Sequence, residues 1–204
     1  WYRDKPLEQY APCAADDDLV LYLSKKLVRR EFRPLTREEI TPELFRCFDR
    51  FQIVEKCWRK VEGQWVVKDV VFTERWGEED YRFLCQCLQN TVATGGQVWG
   101  AFLEGRLKGF ASVEGPLIGS QKQYADLTSI HVSADARGHG LGRQLFRRAE
   151  ETGRRLGAKA LYISAHSSVE SQAFYKAMGC VEATEYIPAH VEQEPCDCQL
   201  ECPL

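Results

Sequence analysis

The stretch Ile130-His-Val-Ser-Ala-Asp-Ala-Arg137-Gly138-His139-Gly140-Leu141-Gly142-Arg143 decides the reading of this chain. Ala125 to Val132 before it is a β-rich run. After it, Leu141, Leu145, Ala149, Thr152 and Leu156 fall on one helical stripe that Gly157 closes. A strand therefore runs into a glycine-rich turn that opens a basic helix. Glycines let backbone approach a ligand and take positive φ, and the first amides of a helix have no internal partner. Together they suit a phosphate group, and Arg137 and Arg143 can add charge-assisted hydrogen bonds.

Two familiar phosphate loops do not fit. A dinucleotide fingerprint needs a third glycine where Arg143 stands, and an acidic residue about twenty positions on, where Lys159, Ala160 and Leu161 stand. A Walker loop fails because no Gly-Lys-Ser/Thr comes after the glycines. The bland alternative is a turn whose glycines serve packing alone.

Working outward, Arg29 to Leu35 reads as a first strand. Thr41-Pro-Glu reads as a helix start, with Leu44, Phe45, Phe48 and Phe51 at helical spacing to about Lys60. Trp65 to Phe72 is β-rich. Glu78 to Val92 is a second helix with Tyr81, Leu84, Cys85 and Leu88 on one face, ended by Gly95-Gly96. Val98–Leu103, a Glu104-Gly105 turn and Leu107–Val113 form a hairpin signature. Past the basic helix come the apolar strand Ala160–Ala165 and the capping box Ser167-Ser-Val-Glu170. That box opens a helix with Ala173, Ala177 and Met178 spaced for burial. Cys180–Ile187 and Cys196–Cys202 are the last strand candidates.

Arg137-Gly-His-Gly140-Leu-Gly142 resembles the Arg/Gln-x-x-Gly-x-Gly/Ala motif of the GNAT superfamily of N-acetyltransferases. Ala173-Phe-Tyr175-Lys-Ala-Met-Gly179-Cys180 resembles that family's late helix. The resemblance runs from Val28 to Ile187 by element order and is specific over Ile130 to Cys180. It implies an α/β fold with a mixed, partly open central sheet and helices on both faces, and acetyl-CoA as co-substrate in a cleft where two parallel strands splay. By the same resemblance, the strand edge Ile130-His131-Val132 holds the pantetheine arm. The turn Arg137, Gly138, His139, Gly140, Leu141, Gly142 and Arg143 holds the pyrophosphate. Ser168 stands where the family has a cofactor-contacting Asn, and Tyr175 corresponds to the tyrosine that protonates the departing thiolate. A phenol (pKa ~10) lies ~1.5 units above a thiol (~8.5), so stabilising the thiolate by a hydrogen bond is the more economical role. Tyr175 also reads as an amphipathic core tyrosine.

The acceptor amine must lose a proton before it attacks. The candidate bases are Asp126, Glu114 and His131; Thr128 stands where some relatives have a carboxylate, so a water chain is equally open. His139 and His166 read as structural or solvent-facing. Cys196, Cys198 and Cys202, with His190 nearby, lack the paired spacing of a zinc site. Their alternation with Asp197, Gln199 and Glu201 reads as a half-buried strand with no metal.

The 204 residues make one domain the expectation, with 28–204 as the N-acetyltransferase domain and 1–27 as a poorly ordered arm. The only methionine is Met178, so Trp1 is expected to be a cut or an artefact. At 44% hydrophobic and 28% charged the composition excludes whole-chain disorder. No apolar run approaches ~18 residues, so no membrane span is expected, and Leu19–Leu23 between Asp16-Asp17-Asp18 and Lys25-Lys26 does not read as a secretory leader. A net charge of −3 argues against nucleic acid as partner. Nine cysteines without a legible framework point to reduced thiols in the cytoplasm. Residues 137–159 are strongly basic and 180–204 carry six acidic and no basic side chains, which suits an anionic cofactor on one side and a cationic acceptor on the other. The expected activity is acetyl transfer to a primary amine, on a small molecule or peptide. A non-catalytic acyl-CoA sensor and a different nucleotide-binding protein are the alternatives. Monomer and homodimer both stay open.

Overall fold

A computed structural model describes residues 29–204; the expected arm over 1–27 lies outside the described residues. Seven strands form one sheet in the order β1-β4-β5-β6-β7-β9-β8: β1 (Arg30–Pro34), β4 (Gln97–Leu103), β5 (Arg106–Val113), β6 (Tyr124–Val132), β7 (Ala160–Ala165), β9 (Cys198–Pro203) and β8 (Val181–Glu182). Neighbours are antiparallel except β6 and β7. β2 (Phe51–Val61) and β3 (Gln64–Arg75) make a separate two-stranded sheet. Helices α1 (Glu78–Ala93), α2 (Leu141–Leu156), α3 (Val169–Ala177) and α4 (Pro188–Gln193) complete the fold. The mixed α/β architecture expected from the sequence is the one observed.

Two cores clamp the sheet. Leu141, Leu145, Phe146 and Ala149 of α2 join Ala111, Val113, Ala125, Leu127 and Leu161 of the sheet, with Tyr175 and Met178 packed from the α3 segment. On the other face Leu84, Cys85 and Leu88 of α1 meet Phe45, Phe48, Val98 and Phe110. In β6, Ala125 and Leu127 face α2. Tyr124 instead joins Tyr162 in a small cluster with Ile187, on the opposite face. A β-bulge interrupts this alternation: Ser112 pairs Ser129 while Val113 pairs Leu127, which leaves Thr128 as the extra residue. Beyond it Ile130 and Val132 lie against the α2 core.

The segment 42–60 is not a helix. Pro42–Phe45 is one 3₁₀ turn, and from Phe51 the chain is a long strand. A register irregularity between Val54 and Lys56 breaks the period of two, so the buried residues Val54 and Cys57 stand three apart. The helical spacing of Phe45 and Phe48 has a different origin: Phe45 ends the 3₁₀ turn, Phe48 lies in the loop after it, and both are buried in one core. The hairpin closes at Glu62-Gly63, both at positive φ (50° and 80°), the left-handed pair of a type I′ turn. Its β2 strand leans on the entry to α3: Trp58 N–H donates to the Ser167 carbonyl (2.8 Å), and Arg59 donates to the Ser167 hydroxyl (2.6 Å).

Three smaller expectations are also corrected. The cap of α3 is Ser168, one residue later than the capping box implies, with Ser171 N–H donating to its hydroxyl. Ala173 and Ala177 are exposed; Tyr175 is the buried residue of that helix. Cys198 and Cys202 are buried in β9, but Cys196 is exposed in the preceding turn. Among the described residues no three His, Cys, Asp or Glu side chains converge on one point, and no helix is long and apolar enough to cross a membrane.

Candidate active site

β6 and β7 pair at only three positions, Tyr124–Ala160, Ala125–Leu161 and Asp126–Tyr162. Past Asp126 the strands separate while β6 stays bonded to β5. A bulge increases local twist, and the one at Thr128 falls where the separation begins. The gap opens into a cavity of about 740 Å³, lined by β6 from Asp126 to Val132, by Tyr175, and by the hairpin and the C-terminal segment.

A second hollow of about 320 Å³ lies over the glycine turn and shares Val132, Arg137, Gly142 and Phe174 with the first, so the two form one channel. Gly138 and Gly140 sit at φ +78° and +79°, where side chains are strained, and a Cβ built on either would meet no atom within 4 Å. The amides from Gly138 to Arg143 have no backbone acceptor among the described residues. A 16-residue helix starting at Leu141 adds its positive end. This is a cradle open to an anion. Arg143 lies beside it, exposed. Arg137 is turned elsewhere: its guanidinium donates to the carbonyls of Phe51 (2.7 Å) and Val132 (3.4 Å). His139 is exposed, with Nδ1 2.8 Å from the Arg137 carbonyl.

Tyr175 is 8% exposed and lines the cavity near the splay. Phe174 and Phe146 pack on its ring at 5.2 and 6.3 Å. Its hydroxyl has no protein partner among the described residues, and burial raises its pKa well above the usual phenol value. It therefore stays a proton donor at any working pH.

Asp126 is 6% exposed at the floor of the splay. Its Oδ2 lies 2.8 Å from His190 Nε2 of α4, and its Oδ1 is buried with no partner among the described residues. The other two base candidates fare differently. His131 is wedged between Trp76 (4.9 Å) and Phe110 (5.3 Å). Burial, with Arg50 nearby, pushes its pKa down to about 3, too weak a base to take a proton from an amine. Glu114 lies outside the cavity lining, accepting from Thr91 (2.6 Å) and Thr128 (3.1 Å). Ser168 is fully buried: its hydroxyl donates to Ser171 Oγ and accepts from Ser171 N–H and the Gln52 amide. A hydroxyl has one donor and two acceptor sites, so Ser168 has none left for a cofactor.

The site also contains residues that sequence reasoning passed over. Glu74 of β3 faces His166 Nε2 (3.4 Å) and accepts from Arg50 (2.8 Å), and these partners hold its pKa down at about 2. His166 thus lines the cavity, with its Nδ1 accepting from Ser168 N–H. Asp197 lies on the C-terminal side, where burial raises its pKa to about 6. Their partners lie far away in sequence, so no local spacing announces them.

The sequence profile of the acetyltransferase (GNAT) family matches residues 52–180. The chain belongs to this family and is an acyltransferase. No curated protein matches it in sequence. Among solved structures it is similar to a putative streptothricin acetyltransferase from Bacillus anthracis in complex with acetyl coenzyme A (TM-score 0.64, 16% identity, 86% of this chain and 100% of that one). It is also similar to nourseothricin acetyltransferase (TM-score 0.59, 16% identity, 85% and 98%). A third is the PaiA N-acetyltransferase of Thermoplasma acidophilum in complex with coenzyme A (TM-score 0.54, 16% identity, 86% and 99%). At these identities the likeness is one of fold.

Proposed function

We propose that this protein transfers the acetyl group of acetyl-CoA to a primary amine by direct attack, with no covalent enzyme intermediate. The observation that carries this reading is the continuous channel. It runs from the anion cradle at Gly138–Arg143, along the free edge of Ile130–Val132, to Tyr175 and Asp126 at the splay. Diphosphate fits the cradle of open amides, and an extended amide-bearing arm fits a strand edge that β7 leaves unpaired. Tyr175 donates a hydrogen bond to the sulfur as charge develops there. The Asp126 carboxylate at the cavity floor favours a cationic acceptor.

The acceptor is a cationic amine, because Asp126, Glu170, Glu194 and Asp197 line its side of the cavity. The two antibiotic acetyltransferases among the structural relatives are consistent with a small-molecule acceptor. The cytoplasm is the compartment this reading favours, since the eight described cysteines are free thiols. The test is release of free thiol from acetyl-CoA against a panel of amines. Thiol release that depends on a cationic amine and weakens with salt supports it. Tight acetyl-CoA binding without turnover on any amine would make the protein a sensor instead.

A further inference from the structure

The family profile ends at residue 180, yet one wall of the acceptor side is built from residues C-terminal to that point. Helix α4 carries His190 to β6 across 64 residues of sequence, where Nε2 meets Asp126 Oδ2 at 2.8 Å. The imidazole is fixed twice over. Its ring stacks on Tyr162 at 5.5 Å and 29°, and Tyr162 is itself held by Gln199 and by the Ile187 amide at the entrance to α4. His190 lines the cavity, and its Nδ1 has no protein partner among the described residues. One nitrogen is thus anchored by a buried carboxylate and the other is free, which is the arrangement of a base with its orienting acid.

We propose that His190 is the proton acceptor of the transfer, with Asp126 as its orienting residue. This inference rests on the acetyltransferase reading above. The acceptor R–NH₃⁺, drawn in by the acidic lining of the cavity, gives one proton to His190 Nδ1. The lone pair so freed forms the C–N bond to the acetyl carbon. The C–S bond breaks with its electron pair going to sulfur, which the Tyr175 hydroxyl stabilises. The second proton from nitrogen ends on the leaving thiol, and the imidazolium returns its proton to water.

Basicity favours the imidazole over the carboxylate for this task. A lysine-like ammonium lies ~4 pKa units above a free imidazole and ~6 above a carboxylate. The hydrogen bond to Asp126 raises the His190 pKa further and outweighs the opposing effect of burial. The ionisable groups around His190 are Asp126 from β6, Tyr162 from β7, Glu194 at the end of its own helix and Asp197 in the loop beyond. Of these, Asp126 is the one that moves its titration.

The test compares His190→Gln and Asp126→Asn with the wild type in kcat, KM and their pH profiles, alongside CoA affinity by calorimetry. Gln can still donate to Asp126 Oδ2 but accepts no proton. His190→Gln should therefore lower kcat by roughly 10²–10⁴, keep KM within a few-fold and abolish the acid limb of the kcat profile. Asp126→Asn removes the partner that raises the imidazole pKa, so its residual acid limb should shift to lower pH while KM for the amine rises. If the Gln variant does not fold, the direction of the Asp126→Asn shift decides. A His190→Gln enzyme with full kcat and an unchanged limb overturns the inference and leaves the acetyltransferase reading standing. A wild type that binds CoA but releases no thiol with any amine overturns both.

Discussion

The guanidinium of Arg137 donates to the carbonyl of Phe51, 86 residues away, at 2.7 Å. The residue that opens the glycine turn is thereby tied to the first residue of the β2–β3 hairpin, and the hairpin forms a wall of the cavity. Charged donors to backbone carbonyls contribute ~1.5–3 kcal/mol when buried. Arg137 is exposed, so about 1 kcal/mol is the fair figure.

Arg137→Lys keeps the charge and loses the two-pronged reach to Phe51 and Val132. It should lower the melting temperature by ~2–4 °C while keeping much of the CoA affinity. If melting is unchanged and CoA binding is lost, Arg137 is a phosphate ligand and the tie to Phe51 is incidental.

Tyr175→Phe removes a hydroxyl that has no protein partner among the described residues and keeps the ring packed between Phe174 and Phe146. The fold and CoA affinity should survive. On the proposed role, a hydrogen bond to sulfur as charge develops there, kcat should fall by roughly 10²–10⁴. Full kcat in the variant would reduce Tyr175 to a packing residue.

Gly140 separates strain from charge. Asn and Asp have nearly the same shape, and both are strained at φ +79°. Gly140→Asp places a carboxylate where diphosphate sits and should weaken CoA at least tenfold more than Gly140→Asn. That difference should shrink with added salt. Equal affinities for the two variants, by calorimetry, would remove the cradle from the phosphate site.

Asp197 carries a stability cost that can be read by pH. Burial raises its folded pKa to about 6 from an ordinary 3.8. Below about pH 3 it is protonated in both states and costs nothing. As pH rises through 4 to 6 the unfolded state ionises first, so the fold loses up to ~2–3 kcal/mol, reaching a plateau above about pH 6. Asp197→Asn cannot ionise. It should be more stable than wild type at pH 7.5, equal to it near pH 3, and bind a cationic acceptor less well. Chemical denaturation at the two pH values measures the first part, and KM for the amine the second. A variant no more stable at pH 7.5 would show that the carboxylate is not desolvated.

The half of the molecule built around the glycine turn was legible because its signals are local. Strand, glycines and helix succeed one another within about thirty residues, and Leu141 to Leu156 repeat cleanly. The acceptor half was not. Residues 42–60 read as a helix because Leu44, Phe45, Phe48 and Phe51 recur at helical spacing; Phe45 and Phe48 are buried in one core, but from a single 3₁₀ turn and the loop after it, and Phe51 starts a strand. Asp126 was among the candidate bases, yet its partner His190 could not be found from spacing, since β6 and α4 meet only in three dimensions. Ser168 looked like a cofactor contact by position; its hydroxyl is spent on Ser171 and Gln52. Glu114 had the right chemistry and faces Thr91 of α1.

The extra residue at Thr128 has a consequence for parity. Upstream of it the even-numbered side chains Tyr124 and Asp126 point away from α2; downstream the odd-numbered His131 does. A strand that kept Thr128 but paired without the bulge would turn Ile130 and Val132 out of the α2 core and His131 into it. Deleting Thr128 has the opposite character. The residue is surplus to the alternation, so every other side chain of β6 would keep its present face. The core would survive such a deletion, while the local twist that coincides with the parting of β6 from β7 would relax. One residue that the hydrophobic core does not count thus stands where the cleft begins, and deleting it should change the cleft while leaving the core pattern of this strand intact.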